Sequence, residues 1–198
     1  MKFPRFFLPA ILGAAVSASF GAEFPNPYPA PDPGVRLTPE TAPSPSINGA
    51  RVFGATPGSR VLFQVPVSGE RPVTIRAKGL PPGLRMDSRG LVTGTAPASK
   101  GEYEVTFLAS NRHGKDSGKW ILKVGDDLCL TPPMGWSSWY SYSEAVGQEN
   151  VLKTARLLVE RGLVNHGWTY VNIDDCWQGK RGGRNFSIQP NKRFPDMK

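Results

Sequence analysis

The sequence predicts a multidomain chain of two fold classes: an all-β antiparallel sandwich over residues 46–126, then an α/β segment over residues 128–198. Three observations carry this. Residues 46–126 alternate apolar and polar in short runs, the period of strands with one buried face. Turn-forming residues separate those runs. After Asp127 the period lengthens to that of an amphipathic helix between two short apolar runs, a strand–helix–strand pattern.

In chain order, the N-terminus reads as a signal peptide over residues 1–22. Lys2 and Arg5 precede an apolar stretch, Phe6 to Val16, and the small residues Ser17, Ala18, Ser19, Gly21 and Ala22 offer a cleavage site. The stretch falls short of the ~20 residues that span a bilayer, and no other candidate span exists, so the protein is expected to be secreted or periplasmic. Residues 23–45 form a proline-rich linker, with Pro25, Pro27, Pro29, Pro31, Pro33, Pro39, Pro43 and Pro45, expected to be extended and semi-rigid.

In the sandwich, Val61, Phe63, Val65 and Val67 would share one face of a strand, as would Val73, Ile75 and Ala77. Tyr103, Val105, Phe107 and Ala109, then Trp120, Leu122 and Val124, repeat the pattern. Pro81-Pro82-Gly83, Asp87-Ser88-Arg89-Gly90, Lys100-Gly101 and Arg112-His113-Gly114 supply the turns. No catalytic constellation stands out here. Of the two histidines, His113 lies in a turn and His166 near a helix end. The stretch Gly79-Leu80-Pro81-Pro82-Gly83-Leu84, then Gly90-Leu91-Val92-Thr93-Gly94-Thr95, then Gly101-Glu102-Tyr103 resembles an Ig-like module of bacterial extracellular proteins.

The net charge of +8 becomes +6 without Lys2 and Arg5. Lys180, Arg181, Arg184, Lys192, Arg193 and Lys198 form a basic cluster, but no aromatic ladder or nucleic-acid motif accompanies it. It reads as a solvated loop, and nucleic acid is not an expected partner. Two cysteines, Cys129 and Cys176, are too few for a disulfide scaffold or a zinc cluster; they are either one bond or two free thiols.

In the α/β segment, Met134–Trp139 is a short strand leading to a polar, aromatic loop. Gln148–Leu163 is the helix, with Val151, Leu152, Ala155, Leu158 and Val159 at helical spacing and Gly162 and Gly167 at its exit. Tyr170–Asp175 is a strand ending in two carboxylates. Ligands bind at the C-terminal ends of strands in α/β proteins. Asp174 and Asp175 sit there with Trp136, Trp139, Tyr140 and Trp177. Carboxylates accept hydrogen bonds from sugar hydroxyls, and aromatic rings cover a pyranose face. The same residues also fit a plainer role, acids capping a following helix and tryptophans sealing a core. Only Asn172 and Cys176 could join the acids around a metal, so neither metal nor cofactor is expected.

Three ordered blocks resemble the opening of glycoside hydrolase family 27, the α-galactosidases or melibiases. They are Pro133-Met134-Gly135-Trp136-Ser137-Ser138-Trp139, Asn172-Ile173-Asp174-Asp175-Cys176-Trp177 and Arg193-Phe194-Pro195-Asp196-Met197. The resemblance implies a (β/α)8 TIM barrel, of which residues 128–198 would hold only the first β-α-β unit, since a barrel takes about 250 residues. It implies a substrate that is an α-galactosyl oligosaccharide or polysaccharide, with Trp139 lining the sugar pocket beside Trp136, and Asp174 and Asp175 holding the sugar's outer hydroxyls. It also implies a retaining mechanism with two catalytic Asp residues on later strands, beyond residue 198, so no catalytic residue is assigned.

In many members of that family the cysteine after the acidic pair bonds to one in the loop after the first strand. Tyr140–Gly147 contains none, and Cys129 belongs at the opposite strand end, so a Cys129–Cys176 bond is not expected. The 198-residue chain alone is expected to be inactive as a hydrolase and poorly stable in its last third. A second reading is a non-catalytic Ig-module protein for carbohydrate binding or adhesion, with a vestigial barrel segment.

Overall fold

The computed structural model describes residues 40–197. The signal peptide expected over residues 1–22, and the linker expected over 23–45 as far as residue 39, lie outside the described residues.

Nine strands occupy the first domain. They are β1 (Ser46–Ile47), β2 (Val52–Ala55), β3 (Arg60–Gln64), β4 (Val67–Ser68), β5 (Thr74–Lys78), β6 (Leu84–Met86), β7 (Leu91–Thr95), β8 (Gly101–Asn111) and β9 (Gly114–Val124). One sheet has the order β2-β9-β8-β5 and a second the order β3-β7-β6, while β1 pairs with β4. The alternation read from the sequence is the burial pattern. Val61, Val65, Val67, Ile75, Val105, Phe107, Ala109, Trp120, Leu122 and Val124 are buried, and Phe63, Val73, Ala77 and Tyr103 pack against them partly buried. Removing such side chains from water stabilises by roughly 1.5–3 kcal/mol each, which explains why a period of two fixes the fold here. Trp120 is the hub: its ring centroid lies 4.8 Å from Phe63, 5.5 Å from Phe107 and 6.1 Å from Phe53.

Two features depart from the sequence expectation. The run from Val61 to Val67 is not one strand: β3 stops at Gln64 and the chain passes through Pro66 into a separate pairing. Pro66 has no N–H to give the ladder, and its carbonyl instead accepts the Asn48 amide at 2.9 Å. The sandwich is also not wholly antiparallel, because β2 runs parallel to β9, from Val52 beside Ile121 to Ala55 beside Val124. Strands so far apart in sequence need no hairpin and so have no required direction.

The second segment starts with β10 (Gly135–Ser137), followed by the short helix α1 (Trp139–Tyr142), a 3₁₀ turn (Ser143–Ala145), α2 (Gln148–Glu160), a second 3₁₀ turn (Leu163–His166) and β11 (Tyr170–Asn172). β10 and β11 are parallel neighbours, as a strand–helix–strand unit requires. The helix ends earlier than Leu163: Gly162, at φ 74°, turns the chain out, and Gly167, at φ 104°, closes the 3₁₀ turn. The second strand ends at Asn172, so the acidic pair lies just beyond it. The stretch expected as a solvated loop is a hairpin, β12 (Gln178–Gly182) with β13 (Ser187–Pro190), and it presents Lys180, Arg181 and Arg184 to solvent. None of α2 is fully buried, and Leu152, Leu157 and Val159 are exposed. Among the described residues no helix is long and apolar enough to cross a membrane.

The sandwich contacts the N-terminal side of β10 and β11. Asn48 Nδ2 donates to the Asn165 carbonyl at 3.0 Å, and Arg71 Nη2 donates to Asn165 Oδ1 at 2.6 Å. Thr131 Oγ1 donates to the Val52 carbonyl at 3.1 Å. Gly167 is packed so closely that a Cβ there would meet Met134 Cε at 2.6 Å and Gly49 Cα at 3.5 Å.

Candidate functional site

The register sets Gly135 opposite Tyr170, Trp136 opposite Val171 and Ser137 opposite Asn172, so β10 and β11 end level. Gly135 permits the close pairing, since a Cβ at that position would lie 2.1 Å from the Tyr170 carbonyl oxygen. The residues that follow the two strands therefore emerge side by side.

Ser138 joins them. It is buried, its amide donates to the Asn172 carbonyl at 3.0 Å, and its Oγ accepts the Asp174 amide at 2.9 Å. Ser137 Oγ lies 3.5 Å from Asp174 Oδ2, and Asn172 Nδ2 donates to the Trp136 carbonyl at 3.2 Å. The side chains of Asp174 and Asp175 are exposed. Asp175 Oδ1 accepts the amide of Cys176 at 2.7 Å, and Cys176 stands in the left-handed region at φ 66°. The pair caps no helix, because the next element is the β12–β13 hairpin.

Trp139 opens α1 and is 38% exposed. Trp136 is half-buried: its Nε1 donates to Ser141 Oγ at 2.9 Å and its ring meets Tyr142 edge-on at 5.9 Å. Trp177, also half-buried, enters the hairpin. Trp139, Asp174 and Asp175 thus lie just beyond the C-terminal ends of two paired parallel strands, and Trp136 lies within β10, one residue before its end.

Sequence reasoning missed the residues that brace this rim. Arg193 donates through Nη1 to the Glu144 carbonyl and through Nη2 to the Cys176 carbonyl at 2.8 Å. Asn191 Nδ2 also reaches the Cys176 carbonyl, at 2.7 Å. In the sequence Arg193 stands in the basic cluster and at the head of the third block, but no local pattern marks a long-range bond to a carbonyl. Both cysteines are free. No cluster of three or more His, Cys, Asp or Glu side chains suited to a metal occurs among the described residues.

An apolar cavity of about 370 Å³ lies elsewhere, lined by Phe53, Phe63, Leu128, Cys129, Met134 and Tyr170 among others. Met134 precedes β10 and Tyr170 begins β11, so this cavity is at the N-terminal strand ends, away from the acidic pair.

Residues 44–125 match the family described as "Putative Ig domain", and residues 131–198 match the family described as "Alpha galactosidase A". A "Probable alpha-galactosidase" of Dictyostelium discoideum is 50% identical over 61 residues, 31% of this chain and 16% of that protein. Alpha-galactosidase A of Cellvibrio japonicus is 37% identical over 70 residues, 35% of this chain and 17% of that protein. The chain thus spans about a sixth of the length of these curated relatives. The crystal structure of a "putative alpha-galactosidase" from Bacteroides fragilis superposes with TM-score 0.72 at 37% identity, covering 81% of this chain and 35% of that one. A second from the same organism, "putative alpha-galactosidase/melibiase", gives 0.70 at 40% identity, covering 77% and 33%. Coverage of that extent runs through both domains, since neither matched family alone reaches half of the chain. The chain joins an Ig-like domain, residues 44–125, to an alpha-galactosidase-like segment, residues 131–198.

Proposed function

We propose that this chain is the sugar-recognising opening of a secreted or periplasmic glycoside hydrolase of α-galactosidase type, which removes terminal α-linked galactose from glycans. Residues 128–198 form the first β-α-β unit of a (β/α)8 barrel. Asp174 and Asp175 accept hydrogen bonds from the sugar's outer hydroxyls, and Trp139, with Trp136 behind it, faces the apolar side of the pyranose. The hydrolysis is retaining: one carboxylate attacks the anomeric carbon, and another protonates the leaving oxygen and then activates water. Both catalytic groups are assigned to barrel strands outside residues 1–198, so the chain by itself recognises and does not hydrolyse.

One observation carries this reading: the hydrogen bond from the Asp174 amide to Ser138 Oγ, which sets the exposed acidic pair beside the exposed Trp139 at two level strand ends. The similarity of residues 131–198 to alpha-galactosidases supports it.

Titration with galactose, followed by tryptophan fluorescence, tests recognition. Galactose is expected to perturb the emission where glucose does not, and Asp174→Asn is expected to abolish the effect. An unchanged response in Asp174→Asn would remove the acidic pair from the site. Turnover of an aryl α-galactoside by the purified chain would place catalytic groups within it and overturn the division of labour. Sequencing the N-terminus of exported protein is expected to show cleavage near Ala22.

A further inference from the structure

Two loops carry the candidate site, and no covalent bond ties them. The first, after β10, carries Trp139 and continues through Glu144; the second, after β11, carries Asp174, Asp175 and Cys176. Residues 140–147 contain no cysteine, and Cys176 is free. We propose that Arg193 is a positioning residue, whose guanidinium staples the acidic-pair loop to the tryptophan-bearing loop.

The geometry is that of a fork. One terminal nitrogen serves the Glu144 carbonyl and the other the Cys176 carbonyl. A planar guanidinium fixes two acceptors at a set separation and angle, which a lysine ammonium does not. The staple is itself held. Arg193 N donates to Asn191 Oδ1 at 2.9 Å, and the Arg193 carbonyl accepts the amide of Gln148, at the start of α2, at 3.0 Å. Asn191 N donates to the Trp177 carbonyl at 2.9 Å. The neighbouring Phe194 is buried, and Gln148 and Asp196 exchange bonds of 2.9 and 3.2 Å. Arg193 is exposed, yet both of its terminal nitrogens are engaged by backbone carbonyls. The proposal deepens the sugar-recognition reading, but its geometric claim does not depend on that reading.

Cys176 is half-buried and Cys129 exposed, so their alkylation rates report the second loop and a distant control. In the full chain, Arg193→Ala is expected to speed iodoacetamide labelling of Cys176 about tenfold, as loss of a charge-assisted hydrogen bond implies. The rate at Cys129 should stay the same. Millimolar guanidinium should restore slow labelling in Arg193→Ala while ammonium does not, and Arg193→Lys should label nearly as fast as Arg193→Ala. An unchanged rate at Cys176 overturns the staple. So does equal acceleration at both cysteines, which would make Arg193 a general fold residue, and so does failure of guanidinium to rescue. No sugar enters the experiment, so the staple stands or falls apart from the sugar-recognition reading.

Discussion

Ser138 Oγ accepts the Asp174 amide at 2.9 Å across 36 residues of sequence, and Ser138 has no exposed surface. The end of one strand thereby fixes the exit path of the next. Replacing a buried acceptor leaves its donor unsatisfied, at about 1–3 kcal/mol. On the proposed sugar-recognition reading, Ser138→Ala is therefore expected to weaken galactose binding about tenfold, since about 1.4 kcal/mol is one decade in affinity. Ser141→Ala is the control. Ser141 is exposed, so water can replace its bond to Trp136 Nε1, and the affinity should change less than about twofold. Titration by tryptophan fluorescence reads both variants, and equal effects would deny Ser138 its role.

At the centre of the sandwich, Trp120 is 1% exposed, and its Nε1 is buried without a hydrogen-bond partner. Truncation to alanine should cost about 3–5 kcal/mol, the usual loss for a large buried ring. Phenylalanine keeps much of the aromatic contact and removes the unsatisfied N–H, so two effects of about 1–3 kcal/mol oppose each other. Trp120→Phe is expected within about 1.5 kcal/mol of wild type. Urea unfolding of both variants checks the pair, and a Phe variant as unstable as the Ala variant would show that the smaller ring recovers none of the packing.

Gly94 sits in β7 at φ 139°, and a Cβ there would lie 2.0 Å from the Gly83 carbonyl oxygen. That oxygen is fixed, because it also accepts the Thr95 amide at 3.1 Å. Gly94→Ala meets backbone rather than a movable side chain and should destabilise by about 2–3 kcal/mol through strain and overpacking. Thermal unfolding should fall by about 10 °C or more for a domain of this size. Gly58→Ala is the contrast. Its φ of 71° carries some strain, but no atom lies within 4 Å, so the loss should be smaller.

Asp87 organises the turn between β6 and β7. Its Oδ1 accepts the amides of Leu91 and Arg89, each at 2.9 Å. The Leu91 bond is the chief reason its carboxyl is held below the ordinary 3.8, with Arg89 adding to it against a cost of desolvation. A depressed folded-state pKa gives a contribution fully present above the unfolded value and lost as pH falls through the folded one. The stability gap between wild type and Asp87→Asn should therefore be constant above pH 3.8 and close below it. Urea midpoints at pH 6 and pH 3 measure this, and a gap unchanged at the lower pH would remove the carboxylate's charge from the account.

The sandwich was legible because burial there follows the strand period, so Val105, Phe107, Ala109, Trp120, Leu122 and Val124 declare their face by spacing alone. The positions of the candidate residues were legible from strand periodicity: Trp139, Asp174 and Asp175 follow the ends of β10 and β11, and Trp136 lies within β10. What was not legible depends on backbone acceptors. Asn191 and Arg193 both reach the Cys176 carbonyl, and a carbonyl has no residue identity to recognise. The β12–β13 hairpin was hidden for a related reason. Its strand Gln178–Gly182 has no apolar side chain to alternate, so only backbone pairing defines it.

Burial divides unequally between the domains. Fourteen apolar side chains form the buried cluster of the sandwich, from Ile47 to Val124. In residues 128–197 only Val146 and Phe194 are buried apolar side chains, while Leu152, Leu157, Val159, Trp168 and Tyr170 are exposed. Regions with little buried apolar surface open at lower free energy than the domain core. Amides of β11 are therefore expected to exchange with deuterium about 100-fold faster than those of β9 or more, a gap of about 2.8 kcal/mol at 1.4 kcal/mol per decade. The contact of Arg71 with Asn165 at 2.6 Å limits that opening from the sandwich side. Arg71→Ala should accelerate exchange in residues 163–172 and leave β8 and β9 as they were. Equal protection of β9 and β11 in the wild-type chain would mean that the segment shares the sandwich's cooperativity despite its exposed apolar face.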